Sequence, residues 1–239
     1  VHSPTILCTV DVVLLTLAVD GLQVALLARD RAPHAGALAL PGGFVHPGED
    51  TGTHGAAARM LREKTGLHSP YLEQLATFSG PDRDPRGWSV SVVYYALVPP
   101  MAQDTGANPA VEWRSVDRLP PLPFDHTEIV RQALARVRSK SQYSSLPVHL
   151  CGERFTLPQL KAVYETVLGE RVNQVSFRRR MDELGMLEPV VGEMVGGAHR
   201  PAQVWRVKAD QRHKVALSER MLGPTTAAPW PPDTEMKRA

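Results

Sequence analysis

The stretch from Ala37 to Leu67 constrains the fold more than any other part of the chain. Ala37–Phe44 reads as a short strand that breaks into Pro41-Gly42-Gly43, and Ala56–Lys64 is helical by composition, with Gly66 as its C-terminal stop. A strand, a glycine turn and a helix in that order let another group come close to bare backbone at the turn. Within the helix, Met60, Glu63 and Lys64 stand at i, i+3 and i+4, so their side chains share one face.

The segment from Gly42-Gly43-Phe44 through Gly66-Leu67 resembles the Nudix box, G-x5-E-x7-R-E-U-x-E-E-x-G-U, with U an aliphatic residue. In that pattern glutamates at i, i+3 and i+4 gather oxygens around a hard divalent cation, usually magnesium, which activates water and neutralises a pyrophosphate. Here the positions hold Met60, Glu63 and Lys64. A thioether is a poor magnesium ligand, and a lysine ammonium repels the ion and neutralises Glu63. Aligned on the leading glycine, Glu49 takes the first glutamate position; aligned on Arg59 and Gly66, Thr51 takes it. The expectation is a retained scaffold with its hydrolytic chemistry lost: not an enzyme, with no catalytic residue, no metal site and no required cofactor. An intact hydrolase using other acids such as Glu63 and Glu49 remains the alternative.

At 239 residues, 43% hydrophobic and 22% charged, the chain has the composition of an ordinary soluble protein of one large or two modest domains. The apolar run Val10–Val19 is interrupted by Asp11 and Thr16 and lacks the basic flank and cleavage site of a signal peptide, so it reads as a buried strand. No run reaches the length of a membrane span. Cys8 and Cys151 lie far apart without C-x-x-C spacing, which points to reduced thiols and a cytoplasmic location. The small net charge hides an asymmetry: residues 1–125 carry nine Lys/Arg against thirteen Asp/Glu, whereas residues 126–214 carry fifteen against nine. The basic half is the place for a polyanionic partner, with a solvated surface as the plainer alternative.

Along the chain, Thr9–Leu17 and Leu22–Arg29 read as strands joined by Asp20-Gly21, a hairpin signal. Tyr71–Ser79, Trp88–Val98 and Val111–Ser115 are further strands, and His126–Lys140 is a helix by the spacing of Ile129, Val130, Ala133, Leu134 and Val137. Ser139–Ser145 is small and polar, a linker or hinge. Thr156 can N-cap a helix to Leu168, ended by Gly169. A second helix runs from about Asn173 to Leu184, turns Val175, Phe177, Met181 and Leu184 inward, and ends at Gly185. Strand Glu188–Val191, glycine-rich loop 196–201 and strand Gln203–Lys208 make a wing after this helix pair. The expected class is α+β: a Nudix-like α/β/α sandwich over 1–140, a linker at 139–150, a winged helix-turn-helix over 151–214, and a disordered tail over 215–239.

In the helix-turn-helix mode the second helix enters the major groove. Its early polar residues are Asn173, Gln174 and Ser176, and Arg178, Arg179 and Arg180 follow. Asn and Gln suit adenine, and arginine suits guanine. Successive helical residues fan out by about 100°, so at most two of the arginines can face a groove while a third pairs with an acid such as Asp182 or Glu183. Lys161, His199 and Arg200 are expected at phosphates, which fix register without carrying sequence. A solvated basic helix, or a dimerisation module, is the alternative.

Taken together the chain resembles the Nudix-related transcriptional regulator (NrtR) family. The match is carried by Gly42-Gly43-Phe44, the helix Arg59-Met60-Leu61-Arg62-Glu63-Lys64, and Asp82-Arg83-Asp84-Pro85-Arg86-Gly87-Trp88. Phe124-Asp125-His126, Phe155-Thr156-Leu157-Pro158-Gln159-Leu160 and Ser176-Phe177-Arg178-Arg179-Arg180 complete it. The resemblance implies a homodimer that binds palindromic double-stranded DNA operators near NAD synthesis or salvage genes, with ADP-ribose as the effector that releases DNA. By the same resemblance Arg29, Gly42, Gly43, Phe44, and Arg59 or Arg62 surround the ligand, with Glu63 beside them. A diphosphate calls for guanidinium forks. Arg83 and Arg86 lie in a loop able to cross to a dimer partner, the alternative being a surface turn with local Asp–Arg pairing. Asp125 and His126 read as caps of the following helix. Repressor and activator share all of these residues and are not separated by sequence.

Overall fold

The structure is a computed structural model that describes residues 5–100, 107–196, 201–218 and 221–222. Strand β1 (Leu7–Ala18) organises the first part. Its alternation sends Val13 and Leu15 to one face and Val10, Val12 and Leu14 to the other, and both sets are fully buried. A strand buried on both faces must be covered twice, which explains the near-continuous apolar run. β1 pairs antiparallel with β2 (Gly21–Ala28) through its C-terminal half and with β4 (Gly42–Phe44) through its N-terminal half. It runs parallel to β6 (Ser89–Leu97), and β5 (Leu72–Gly80) closes that edge. With β3 (Leu38–Ala39) and β7 (Val111–Ser115) both on β2, the sheet has seven strands.

Helix α1 (Thr53–Thr65) lays Ala56, Ala57, Met60 and Leu61 on one face of this sheet. Helix α2 (His126–Ser141) lays Ile129, Val130, Ala133 and Val137 on the other. The second part holds α3 (Leu157–Leu168), α4 (Gln174–Leu184) and a three-stranded sheet of β8 (Phe155–Thr156), β9 (Leu187–Val195) and β10 (Ala202–Val207). α3 starts at a capping box between Thr156 and Gln159. α3 and α4 stop at Gly169 and Gly185, whose φ of 75° and 63° are left-handed. The sequence places both ends.

The expected linker at 139–150 packs into the interior. Ser141, Ser144 and Ser145 are fully buried, and Leu146 and Leu150 belong to the α2-side core while Val148 belongs to the core of the second part. These serines tolerate burial because nearby backbone takes their hydroxyls: Ser141 Oγ donates to Val137 O at 2.6 Å and Ser144 Oγ to Lys140 O at 2.6 Å. The expected disordered tail is corrected at its start. Leu217 bridges to Ser144, Ser218 N donates to Tyr143 O at 2.8 Å, and Leu222 is buried with its N–H on Gln142 O at 2.6 Å. The remainder of the tail, 223–239, lies outside the described residues. So do His199 and Arg200 of the wing loop.

Candidate ligand pocket and nucleic-acid interface

A cavity of about 660 Å³ opens beside β1, β4 and α1. Its wall requires glycine by close approach, not by dihedral. A Cβ on Gly42 would stand 2.1 Å from Asp11 Oδ1, and one on Gly43 would stand 2.6 Å from Met60 Sδ. Asp11, a lone acid in the apolar strand, is buried and accepts from Ser91 Oγ at 2.6 Å. Arg83 Nη2 and His126 Nε2 each lie 3.7 Å from its carboxylate. Arg83 donates twice to Asp125, at 3.0 and 2.9 Å, and once to Ser89 Oγ. The His126 ring is buried at the start of α2 and its Nδ1 accepts from Leu40 N at 3.1 Å. That bond leaves the proton on Nε2, and burial first of all holds the ring's pKa below its ordinary value.

Two cation–aromatic stacks form the rim. The Arg29 guanidinium lies 4.8 Å from the Phe124 ring centroid, and that of Arg86 lies 5.1 Å from Phe44. Phe124 holds φ 57°, a strained region for a non-glycine residue, which turns its ring toward His34 and Arg29. Burial, then the neighbouring Arg86 charge, lowers the Arg29 pKa. Arg86 chelates Asp84, Nη2 to Oδ2 at 2.6 Å, which raises the arginine's pKa and lowers the aspartate's.

On α1, Met60 is packed into the interior and Glu63 is half exposed, 3.4 Å from Arg59 Nη1. Arg59 itself is committed to structure. It binds both oxygens of Asp50, at 2.8 and 2.7 Å, and the carbonyl of Phe44 at 3.1 Å, so it pins the loop between β4 and α1. Its guanidinium holds the Asp50 carboxyl well below the usual range. Glu49 faces solvent and meets His46.

The second candidate surface is the outer face of α4. Phe177, Arg180 and Met181 turn inward, while Gln174, Val175, Ser176, Arg178 and Arg179 are exposed. Arg179 pairs with Glu183 at 3.3 Å. Among the described residues no ion pair is formed by Arg178.

Residues 9–137 match the NUDIX domain and residues 147–207 match the NrtR DNA-binding winged helix domain. The chain is 40% identical over 207 residues to the ADPR responsive transcriptional repressor NtrR of Acinetobacter baylyi, covering 85% of this chain and 82% of that relative. The chain belongs to the NrtR family. The crystal structure of Shewanella oneidensis NrtR is similar at a TM-score of 0.83 and 37% identity, covering 90% of this chain and all of that one. The same protein complexed with a 27mer DNA gives 0.81 and 35%, covering 90% and 99%. Its NUDIX domain with ADP ribose gives 0.51 and 38% over 56% of this chain and 90% of that one. An ADP-ribose pyrophosphatase of Methanocaldococcus jannaschii is 36% identical over 121 residues, 48% of this chain and 70% of the relative.

In this NrtR-family chain Arg29, Gly42, Gly43, Phe44, Arg59, Glu63, Arg83 and Arg86 all line the cavity. Arg62 does not; it points to solvent from α1. Arg83 is half-buried and bound to Asp125, and Arg86, which is exposed, chelates Asp84, so both meet acids of their own chain. Sequence reasoning missed Asp11, Phe124 and His126. The charge inside the strand was the available signal for Asp11. Asp125 precedes α2 but makes no side-chain cap bond; its carboxylate serves Arg83 instead. On the nucleic-acid side, Arg180 is 2% exposed and donates to Gln142 O, so it cannot meet DNA as expected. The Asn173 side chain caps α4 by accepting from Val175 N and Ser176 N, and Lys161 is largely covered and bound to Glu165 at 2.7 Å. Val175, expected inside, is 76% exposed.

Proposed function

We propose that the chain is a transcriptional repressor, homodimeric, that binds palindromic operators of NAD synthesis or salvage genes and is released by ADP-ribose. The observation that carries this reading is the position of α2. His126 at its start lines the cavity, Asp125 just before it holds the cavity-lining Arg83, and Gln142 at its end is held by Arg180 of α4. Ligand and DNA therefore act on opposite ends of one helix. The relatives support the two halves: one is described as ADPR responsive, and another has been crystallised with DNA and, as a NUDIX domain, with ADP ribose.

The guanidinium groups of Arg29 and Arg86 suit a diphosphate, which competes with Asp84 for Arg86. Phe44 and Phe124 offer aromatic surface to a base. The α1 side chains do not fit the magnesium of the Nudix box. Sulfur and apolar packing stand at Met60, a cation stands at Lys64, and Arg59 already compensates Glu63. Occupancy is thus read out as a change in DNA affinity instead of being hydrolysed. By linkage, DNA weakens ADP-ribose binding by the factor by which ADP-ribose weakens DNA binding.

The test is a gel shift of the full chain on the region upstream of its own operon, titrated with ADP-ribose. The expected result is a retarded complex that disappears as ligand is added, with ADP-ribose recovered intact in the presence of magnesium. Catalytic release of AMP and ribose 5-phosphate, or a complex indifferent to the ligand, overturns the reading.

A further inference from the structure

α4 presents one apolar side chain to solvent in its first turn. Val175 is 76% exposed, although the neighbouring inward positions are filled by Phe177 and Met181 at 0% and 3%. Scattered surface valines are ordinary, so exposure alone decides nothing. Its placement is informative. Val175 and Arg178 are three apart, hence on one face of the helix. Arg178 is exposed on that face and enters no ion pair among the described residues, whereas Arg179 is held by Glu183 and Arg180 by Gln142. Asn173 spends its oxygen on the cap, which removes the first polar side chain from the reading set. The exposed side chains left over are Gln174, Val175, Ser176 and Arg178, of which Val175 is the apolar one.

In the major groove the apolar feature of a base edge is the thymine 5-methyl group. The geometry points to Val175 as the residue that reads a thymine methyl in each half-site, beside a guanine read by Arg178. This rests on the DNA-binding reading given above. The two residues are about 4.5 Å apart along the helix, and base pairs rise about 3.4 Å, so the thymine and the guanine occupy adjacent or next-adjacent pairs. Burying a β-branched tip against a methyl expels water from both, an effect of about fourfold in affinity for one methyl group. Being exposed, Val175 can be shortened without opening a cavity in the protein.

The experiment enriches duplexes from a random-sequence pool on the full-length protein. Each thymine of the enriched half-site is then replaced by deoxyuridine, which removes only the methyl. The wild type is expected to lose about fourfold at one thymine, adjacent or next-adjacent to a guanine. Val175→Ala is expected to bind the thymine and uracil duplexes equally, while Arg178→Ala binds both more weakly and keeps their ratio. Unchanged thermal melting of Val175→Ala secures that the loss is local. A wild type indifferent to every uracil, or a Val175→Ala protein that keeps the full uracil penalty, overturns the assignment while leaving DNA binding intact. A pool that yields no enriched duplex overturns the DNA-binding reading and the assignment with it.

Discussion

The Arg180 guanidinium, on α4, donates to the carbonyl of Gln142 at 2.6 Å, and Leu222 N donates to the same oxygen at 2.6 Å. Gln142 caps the end of α2, where carbonyls have no helical partner. Three segments far apart in sequence therefore meet on one backbone atom. Consecutive arginines in one triplet consequently have different tasks. Arg180→Ala should lower stability by about 3 kcal/mol, because it empties the space filled by a buried side chain and removes one of the two bonds to Gln142 O. Arg178→Ala should leave stability within about 0.5 kcal/mol and weaken operator binding by about tenfold or more. Urea denaturation alongside gel shifts separates the two. Equal stability loss in both variants contradicts the assignment.

The glycine pair should respond unequally to added methyl groups. On Gly42 a Cβ meets the buried Asp11 carboxylate and the Val10 carbonyl, whereas on Gly43 it meets the end of the flexible Met60 side chain. Gly42→Ala should weaken ADP-ribose binding by about two orders of magnitude and Gly43→Ala by about tenfold or less, since an off-rotamer shift costs about 1 kcal/mol. Calorimetric titration with ADP-ribose measures both. The reverse order would mean that Asp11 is not fixed in the cavity wall.

Restoring oxygen donors on α1 should restore a cation site. Met60→Glu with Lys64→Glu adds two carboxylates to Glu63, making three at i, i+3 and i+4. Manganese affinity should rise by about two orders of magnitude over the wild type, read by calorimetry. A double variant as indifferent to manganese as the wild type would show that more than these side chains keeps the ion out.

His149 sets a pH dependence of folding. It is buried at the junction, stacked on Tyr71 with ring centroids 5.0 Å apart, and its Nε2 has no hydrogen-bond partner among the described residues. Burial first of all pushes its pKa down from 6.5 to about 4. The folded value lies below the unfolded one, so the unfolded chain binds the extra proton. The contribution is fully present above pH 6.5 and is lost as pH falls toward 4, at about 1.4 kcal/mol per unit. His126 acts in the same direction. His149→Phe keeps the stack and has no proton to take up, so its stability should fall less between pH 7 and pH 5, by about 2 kcal/mol. Urea midpoints at the two pH values decide; identical slopes in both proteins would assign the pH dependence elsewhere.

Local signals were the readable ones. The capping box of Thr156 and Gln159, Asn173 before α4 and the glycines after α3 and α4 act within a few residues, so their chemistry is written in the chain order. The cavity floor is not. Asp11 meets Ser91 across 80 positions and Arg83 meets Asp125 across 42, distances over which no spacing rule operates. Polarity misled at the junction, where Ser141 and Ser144 return their hydroxyls to backbone one turn earlier and are buried. The hydrophobicity of Val175 taken alone points it inward, against its 76% exposure. Phe177 and Met181 fix the helix phase, and that phase turns Val175 outward.

The unbroken run of α2 has a mechanical meaning. Its sixteen residues make an arm of about 24 Å. A swing of about 10° at the Asp125 end carries the Gln142 end through about 4 Å, more than one base-pair step of about 3.4 Å. A displacement too small to unfold the pocket is thus large enough to slide the reading face off its register.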